Sequence, residues 1–357
     1  MKVSNKISSF FIVSFIILSL TACSDNKETL EEVNNLPHYS EITALESNKE
    51  NSDVYKIENK GLYKIGTIEN LLDLSYNNKN AVYVYLQNIS KGKNFNNNKI
   101  VVIKDKRKKE LKDFYAALDF KLNPSGDKLA FRSFKEDSRE SAEGMRIYDI
   151  KKNKYIRLKS NVLVSGNLYG WINDNKIIYY GSIEGKKNSD KIYSYDFNTN
   201  KEEVYLGDIN GYCTYFVPIG NNILFLAKEG DSQSLYYFDA EKSTVKSITN
   251  NIYGVSKSVA SYKNGEIFFI GSEDEKQLAL YKFSSQSFEL ERITYDFPKE
   301  LDEMSGIAID DQENVYFGGT DVPEQDEKVD VYMYDNKERS INLISTHEGK
   351  YSVYNSE

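Results

Sequence analysis

The sequence predicts an all-β ring, a β-propeller of four-stranded blades. Three observations carry this. Short apolar runs recur at an interval in the mid-forties of residues, and each is introduced by a turn rich in Asn, Asp or Gly. The hydrophobic position near the end of the third run in each unit steps through Tyr55, Ile103, Tyr148, Tyr195, Phe238, Tyr281 and Tyr334, at spacings of 48, 45, 47, 43, 43 and 53 residues. A period of that length with four short strands per unit is the sequence form of a propeller. Composition agrees: 28 Tyr and 18 Phe suit pleated, half-buried surfaces, and only 5 Pro interrupt them.

In chain order, the first element is an address. Lys2 and Lys6 precede an apolar run over residues 7–22, ISSFFIVSFIILSLTA, which is 16 residues long. That is shorter than the roughly 20 residues a bilayer span needs, and the basic-then-apolar order is that of a secretory signal. The run ends Leu20-Thr21-Ala22-Cys23. This segment resembles a bacterial lipoprotein signal peptide with its lipobox. The resemblance implies cleavage before Cys23, a diacylglyceryl thioether on Cys23, and residence on the outer face of the cell membrane. Two acyl chains make a stable anchor. Residues 24–39 are polar and charged, and read as a flexible tether. The propeller is expected over residues 40–357.

The second strand of each unit is the strongest. It is expected over 42–44, 81–85, 129–131, 177–180, 223–226, 267–270 and 315–317, as short apolar runs bounded by turn residues. The preceding turns, such as Asn123-Pro124-Ser125-Gly126-Asp127 and Lys263-Asn264-Gly265, supply positive φ or side-chain bonds to their own backbone. First strands are expected over 72–76, 117–122, 168–172, 213–216, 259–262, 307–309 and 351–354. Fourth strands are expected over 63–65, 156–158, 204–206, 245–248, 290–293 and 341–344. The segment at 42–65 lacks a first strand, and 350–354 supplies one without the rest. The two therefore complement each other into one blade, which closes the ring and removes exposed sheet edges. This predicts seven blades, or six if residues 42–44 are not a strand.

The clearest unit, residues 122–158, is LNPSGDKLAFRSFKEDSRESAEGMRIYDIKKNKYIRL. It resembles the repeats of TolB-like propellers, whose pattern is an Asn/Ser-Pro-x-Gly turn, a Leu-Ala-Phe-like strand and an Ile-Tyr-x-Asp strand; here the last stands as Ile147-Tyr148-Asp149. No other unit keeps the Pro-x-Gly turn. The resemblance implies the fold and no activity, since such repeats occur in scaffolds, peptidase side domains and lyases.

The net charge is −8, and −10 once residues 1–22 are removed. An acidic chain repels phosphate backbones, which argues against nucleic acid as a partner. The two His, His38 and His347, are too few for a His-rich metal site. No Gly-x-Ser-x-Gly elbow, His-Glu-x-x-His helix or phosphate-binding Gly loop occurs. The sequence therefore assigns no catalytic residue, cofactor or metal. Asp196-Phe197-Asn198-Thr199-Asn200 opens like a calcium loop, but Lys201 and Gly207 stand where Gly and Glu are needed, so it reads as a hairpin turn. The cluster Lys104, Lys106, Arg107, Lys108, Lys109 and Lys112 reads as a solvated hairpin. The cluster Asp321, Glu324, Asp326, Glu327 and Asp330 reads as a solvated acidic loop. Cys213 reads as a buried thiol.

The candidate binding residues are Tyr169, Trp171, Tyr212 and Tyr215, expected near the starts of first strands, where loops surround the channel mouth. The expected function is a membrane-anchored, non-catalytic module that binds a protein, peptide or glycan. The alternatives are an envelope hydrolase or polysaccharide lyase at the channel mouth, or a sensor or assembly subunit of a membrane complex.

Overall fold

The computed structural model describes residues 31–33, 36–48, 50–58, 60–273, 277–323 and 328–357. The signal segment, Cys23 and most of the expected tether lie outside these residues.

Seven antiparallel sheets form the ring. Blade 1 is built from Tyr351–Asn355, Ile42–Asn48, Asn51–Glu58 and Gly61–Glu69. Blade 2 is Leu71–Asn77, Val82–Ser90, Asn97–Lys104 and Arg107–Leu111, and blade 3 is Ala116–Leu122, Lys128–Phe134, Ala142–Asp149 and Lys154–Ile156. Blade 4 is Val162–Asn173, Lys176–Ile183, Lys191–Asp196 and Lys201–Leu206, and blade 5 is Tyr212–Ile219, Asn222–Glu229, Ser232–Asp239 and Thr244–Thr249. Blade 6 is Gly254–Ser261, Glu266–Ser272, Leu278–Ser284 and Leu290–Arg292. Blade 7 is Ile307–Ile309, Val315–Thr320, Asp330–Asp335 and Ser340–Leu343, with Glu300–Leu301 paired beside Ile307–Ile309 on the same neighbour. Residues 42–44 belong to a strand of 7 residues, so the six-bladed alternative is excluded.

Each first strand touches the first strands of the two neighbouring blades, and this circle of contacts encloses a central channel. The circle is completed by Tyr351–Asn355 pairing with Ile42–Asn48, in the register Ile42↔Asn355 to Glu46↔Tyr351. The core is divided accordingly. Seven apolar clusters each fill one seam between adjacent blades, such as Val84, Leu129, Phe131 and Tyr148 between blades 2 and 3, or Ala44, Ala308, Val331 and Val353 between blades 7 and 1. The second strands are buried on both faces because they sit between two seams. That is why they read as continuous apolar runs rather than as alternation. Burying each such Val, Leu or Phe contributes about 1.5–3 kcal/mol.

Polar side chains in the turns tie neighbouring blades together. Asn77 Nδ2 donates to Pro124 O at 2.7 Å, joining blade 2 to blade 3. Asn123, fully buried, donates to Asp174 O at 2.9 Å across to blade 4 and accepts from Lys128 N at 2.9 Å. Between blades 7 and 1, Asn355 Nδ2 donates to Ile309 O at 2.9 Å and its Oδ1 accepts from Ile309 N at 2.7 Å. Gly126 sits at φ +67° in the blade 3 turn, where a Cβ would approach Asn77 and Val82 within 3.1–3.3 Å. The Pro-x-Gly turn of this unit thus reflects a close approach between blades.

Three expectations need correction. The basic cluster is not only a hairpin: its turn is confined to Asp105 and Lys106, both at positive φ, and Arg107–Leu111 is the fourth strand of blade 2. Asp330 is not on a loop. It starts the third strand of blade 7, is buried, and accepts from Ser345 Oγ at 2.8 Å. Glu324, Asp326 and Glu327 lie outside the described residues. The end of the expected tether is structured: Glu31–Glu32 pairs with Arg107 and Lys108 on the outer edge of blade 2, and Tyr39 is buried with its hydroxyl 2.9 Å from that of Tyr85.

Asn123→Ala leaves the Lys128 N–H without its acceptor and removes one of the two donors to the Asp174 carbonyl, which keeps Lys128 Nζ at 3.2 Å. We expect it to destabilise the fold by about 1–3 kcal/mol in urea unfolding. Asn198→Ala, in an exposed turn, should change stability by less than about 0.5 kcal/mol.

Candidate functional site

The chain's most charged interior is the channel. The first strands line it, and five of the seven are bulged where they pair with the second strand, at residues 71–73, 118–121, 164–169, 213–215 and 255–257. A bulge inserts an extra residue and re-aims the side chains around it. In blade 3 the bulge holds Asp119 at φ +56°, a left-handed conformation that Asp tolerates. In blades 5 and 6 the inserted Thr214 and Ser256 donate to Leu226 O and Ile270 O at 3.3 and 3.2 Å, which satisfies hydroxyls that the blade core could not hold.

The re-aimed set is made of opposite charges and tyrosines. Asp73 of blade 2 accepts from Leu74 N at 2.9 Å, with the Tyr354 hydroxyl and the Lys257 ammonium beside it. Burial pushes its carboxyl up to about 6, against the pull of these partners. Asp119 is paired with Arg132 at 2.6 Å. Lys121 donates to Tyr169 O at 2.7 Å; burial and Lys257 lower its pKa, while Asp119 and Glu357 oppose them. Glu357 is raised to about 7 by burial, with Lys121 opposing. Tyr215, from blade 5, shares a hydrogen bond of 2.7 Å with Ser258 of blade 6, and burial pushes its phenol up to about 12. Protein surrounds these groups, yet Glu357 is exposed and Tyr262 keeps 64% of its surface. Carboxylates, ammoniums and phenols thus meet in an interior that is open to solvent at these two residues.

The loop face adds a recess at the seam of blades 5 and 6. Two adjoining cavities of about 310 and 480 Å³ share Asn251, Ile252 and Glu273. Tyr281, which lines the first, has Glu273 as a neighbour that raises its phenol after burial, to about 12. No group of three or more His, Cys, Asp or Glu able to hold a metal ion occurs among the described residues.

Of the four aromatic candidates, Tyr215 packs at the seam of blades 5 and 6, where its hydroxyl shares a hydrogen bond with Ser258, and Tyr212 is left half exposed at the strand start. Tyr169 and Trp171 are placed differently from expectation. Their strand begins at Val162, so both fall near its end, and both are buried in the seam between blades 3 and 4. The Tyr169 hydroxyl donates to Asp119 O, and Trp171 Nε1 donates to Lys121 O at 3.1 Å. They position the two charged residues of blade 3 from behind. Cys213 is buried, its thiol donates to Tyr215 O at 3.3 Å, and burial pushes it up to about 12, so it is no nucleophile near neutral pH. His38 and His347 are both exposed and lie in a linker and a loop. Sequence reasoning missed Asp73, Asp119, Lys121, Lys257, Tyr354 and Glu357. Their common signal was a polar residue inside an expected first strand or within three residues of either end.

No protein-family model and no curated protein matches the sequence. Solved structures do. The β-propeller domain of the Trilobed protease from Pyrococcus furiosus is similar at a TM-score of 0.60 and 17% identity, over 88% of this chain and 96% of that one. It is described as having an open velcro topology, whereas here Ile42–Asn48 and the C-terminal strand Tyr351–Asn355 close one blade. An uncharacterised protein from Listeria monocytogenes EGD-e is similar at 0.55 and 12% identity, over 89% and 94% of the two chains. TolB from Acinetobacter baumannii gives 0.46 and 11% identity, over 88% and 82%. The first two likenesses establish the propeller fold and carry no activity.

Asp73 and Glu357 both give the site a pH response, and Asp73 is the simpler to test. Its folded pKa lies above its unfolded value of 3.8, so its stabilising contribution is complete below about pH 4 and is lost as pH rises through 6. Asp73→Asn, which never ionises, should therefore be more stable than wild type at pH 8 by on the order of 1–3 kcal/mol and equal to it at pH 3.5. Urea midpoints at the two pH values check this. Cys213 should resist iodoacetamide at pH 8 in the native state and react fully in 8 M urea.

Proposed function

We propose that this chain is a lipid-anchored, extracytoplasmic β-propeller that binds a polar peptide or glycan segment at its channel without turning it over. The observation that carries the reading is the convergence of Asp73, Lys121, Lys257, Tyr354 and Glu357 from blades 1, 2, 3 and 6 around the channel. The seams are filled by apolar clusters, so these charges are not needed to hold the blades together. Groups kept partly desolvated, with displaced pKa values, are more often directed at a ligand than at packing. A wall carrying both signs of charge suits a ligand that offers donors and acceptors together, as a peptide backbone or a sugar does. Anchoring follows from the Leu-Thr-Ala-Cys23 motif and the two-chain anchor it implies.

A second reading rests on the Asp73 carboxyl. A carboxyl raised to about 6 beside a tyrosine hydroxyl has the protonation needed of a general acid, as in an envelope hydrolase or lyase.

The two separate experimentally. A photo-crosslinker in place of Tyr212 should capture a discrete envelope peptide or glycan in intact cells, and the double change Asp73→Lys with Lys257→Glu should lower capture at least tenfold. Purified protein incubated with the captured ligand should return it unchanged by mass spectrometry. Cleavage that Asp73→Asn abolishes would overturn the binding reading in favour of the enzyme.

A further inference from the structure

Blade 2 is electrostatically unlike the rest of the molecule. Its sheet, residues 71–115 with the added strand Glu31–Glu32, carries ten Lys and Arg against six Asp and Glu, a local charge of +4 in a chain whose net charge is −8. Towards the outer edge of the blade three ammoniums share the Glu110 carboxylate. Glu110 lies 2.6 Å from Lys99, 3.3 Å from Lys108 and 3.9 Å from Lys112. Lys106, Arg107 and Lys112 are exposed around it, and Lys79, Lys91 and Lys93 are exposed at the blade's loops. Such an excess of one sign on one blade is not a requirement of the fold, since the other blades pack equally well without it.

The same edge is where the chain enters the propeller. Glu31–Glu32 adds a strand antiparallel to Arg107–Leu111, pairing Glu31 with Lys108 and Glu32 with Arg107, and Val33 N donates to Lys106 O at 2.8 Å. Val33 and Leu36 then pack on the cluster between blades 1 and 2. Eight residues separate Glu31 from Cys23. At no more than 3.3–3.6 Å per residue they reach at most roughly 28 Å. A lipid on Cys23 would therefore keep the outer edge of blade 2 within that reach of the bilayer.

We propose that the outer edge of blade 2, centred on Lys106, Arg107, Lys109 and Lys112, is a membrane-facing surface that docks on anionic lipid headgroups. The nearness to the membrane rests on the anchored reading above; the charge does not. Blade 2 is pulled down and the acidic remainder is repelled, so the disc stands with its opposite rim toward solvent. Both channel mouths then stay open to ligand.

Vesicle co-sedimentation of the chain from residue 23 onward, with Cys23→Ser and hence no acyl group, tests this. With equal parts phosphatidylglycerol and phosphatidylcholine at 0.1 M salt, binding is expected. It should be absent on phosphatidylcholine alone and lost at 0.5 M salt. Replacing Lys106, Arg107, Lys109 and Lys112 by Gln should weaken binding by about fivefold for each charge removed. The same four-fold replacement on blade 4, at Lys186, Lys187, Lys191 and Lys201, should change it less than twofold. No binding to phosphatidylglycerol, or equal loss from the two sets, would overturn the proposal. Circular dichroism melting of both variants guards against misfolding. Incorporation of a fatty-acid probe at Cys23 in cells is scored separately, so that failure of the anchor and failure of the surface give different results.

Discussion

The ring depends on one pairing. Tyr351–Asn355 lies against Ile42–Asn48, and that contact joins residues some three hundred positions apart into one sheet. Without it, blade 1 would present the inner edge of Ile42–Asn48, and the channel wall would have a gap between blades 7 and 2. Open strand edges invite pairing with other chains. The closure is reinforced on both sides. Asn355 bonds both backbone groups of Ile309 on blade 7, and Tyr76 of blade 2 accepts at its carbonyl from Glu357 N at 2.8 Å. Joining such distant segments has a large entropic cost, which is why all seven seams must form together with it.

Closure also creates the site. A first strand in an open sheet would expose one face to bulk water. In the ring, the same face looks across a confined channel at the first strands of other blades. Asp73 meets Tyr354 and Lys257, and Lys121 meets Glu357, only because blades 1, 2, 3 and 6 face one another across it. The bulges matter for the same reason. Each kinks a first strand where its side chains must turn from the seam toward the channel, and the hydroxyls of Thr214 and Ser256 make that kink affordable for the backbone of the next strand. Tyr169 and Trp171 act from the seam side, holding the carbonyls of Asp119 and Lys121 so that the charged side chains project inward.

The molecule therefore carries two different arrangements of charge. Charges of both signs approach one another at the channel, where protein surrounds them. On blade 2 the excess is basic and lies mostly in water, which screens it.

Much of the architecture was legible in the sequence because a propeller repeats. The second strands, buried on both faces, read as apolar runs, and the aromatic positions counted out the seven units. Residues 307–309 were placed to the residue. The first strand of blade 4 was read six residues short, because Ser165, Gly166 and Asn167 look like a turn and are in fact an extended bulge. That displacement carried Tyr169 and Trp171 to the wrong end of the strand. The tether was read as unstructured from composition, yet its last residues pair with an edge strand whose availability no local pattern reveals. Periodicity, turn chemistry and the Cys23 motif are local properties, and the sequence by itself determined them. Which charges oppose one another in the channel, and which blade edge receives the incoming chain, were decided by the tertiary structure alone. Both depend on how far the ring turns between one blade and the next, and that angle is set by the packing of seven seams at once.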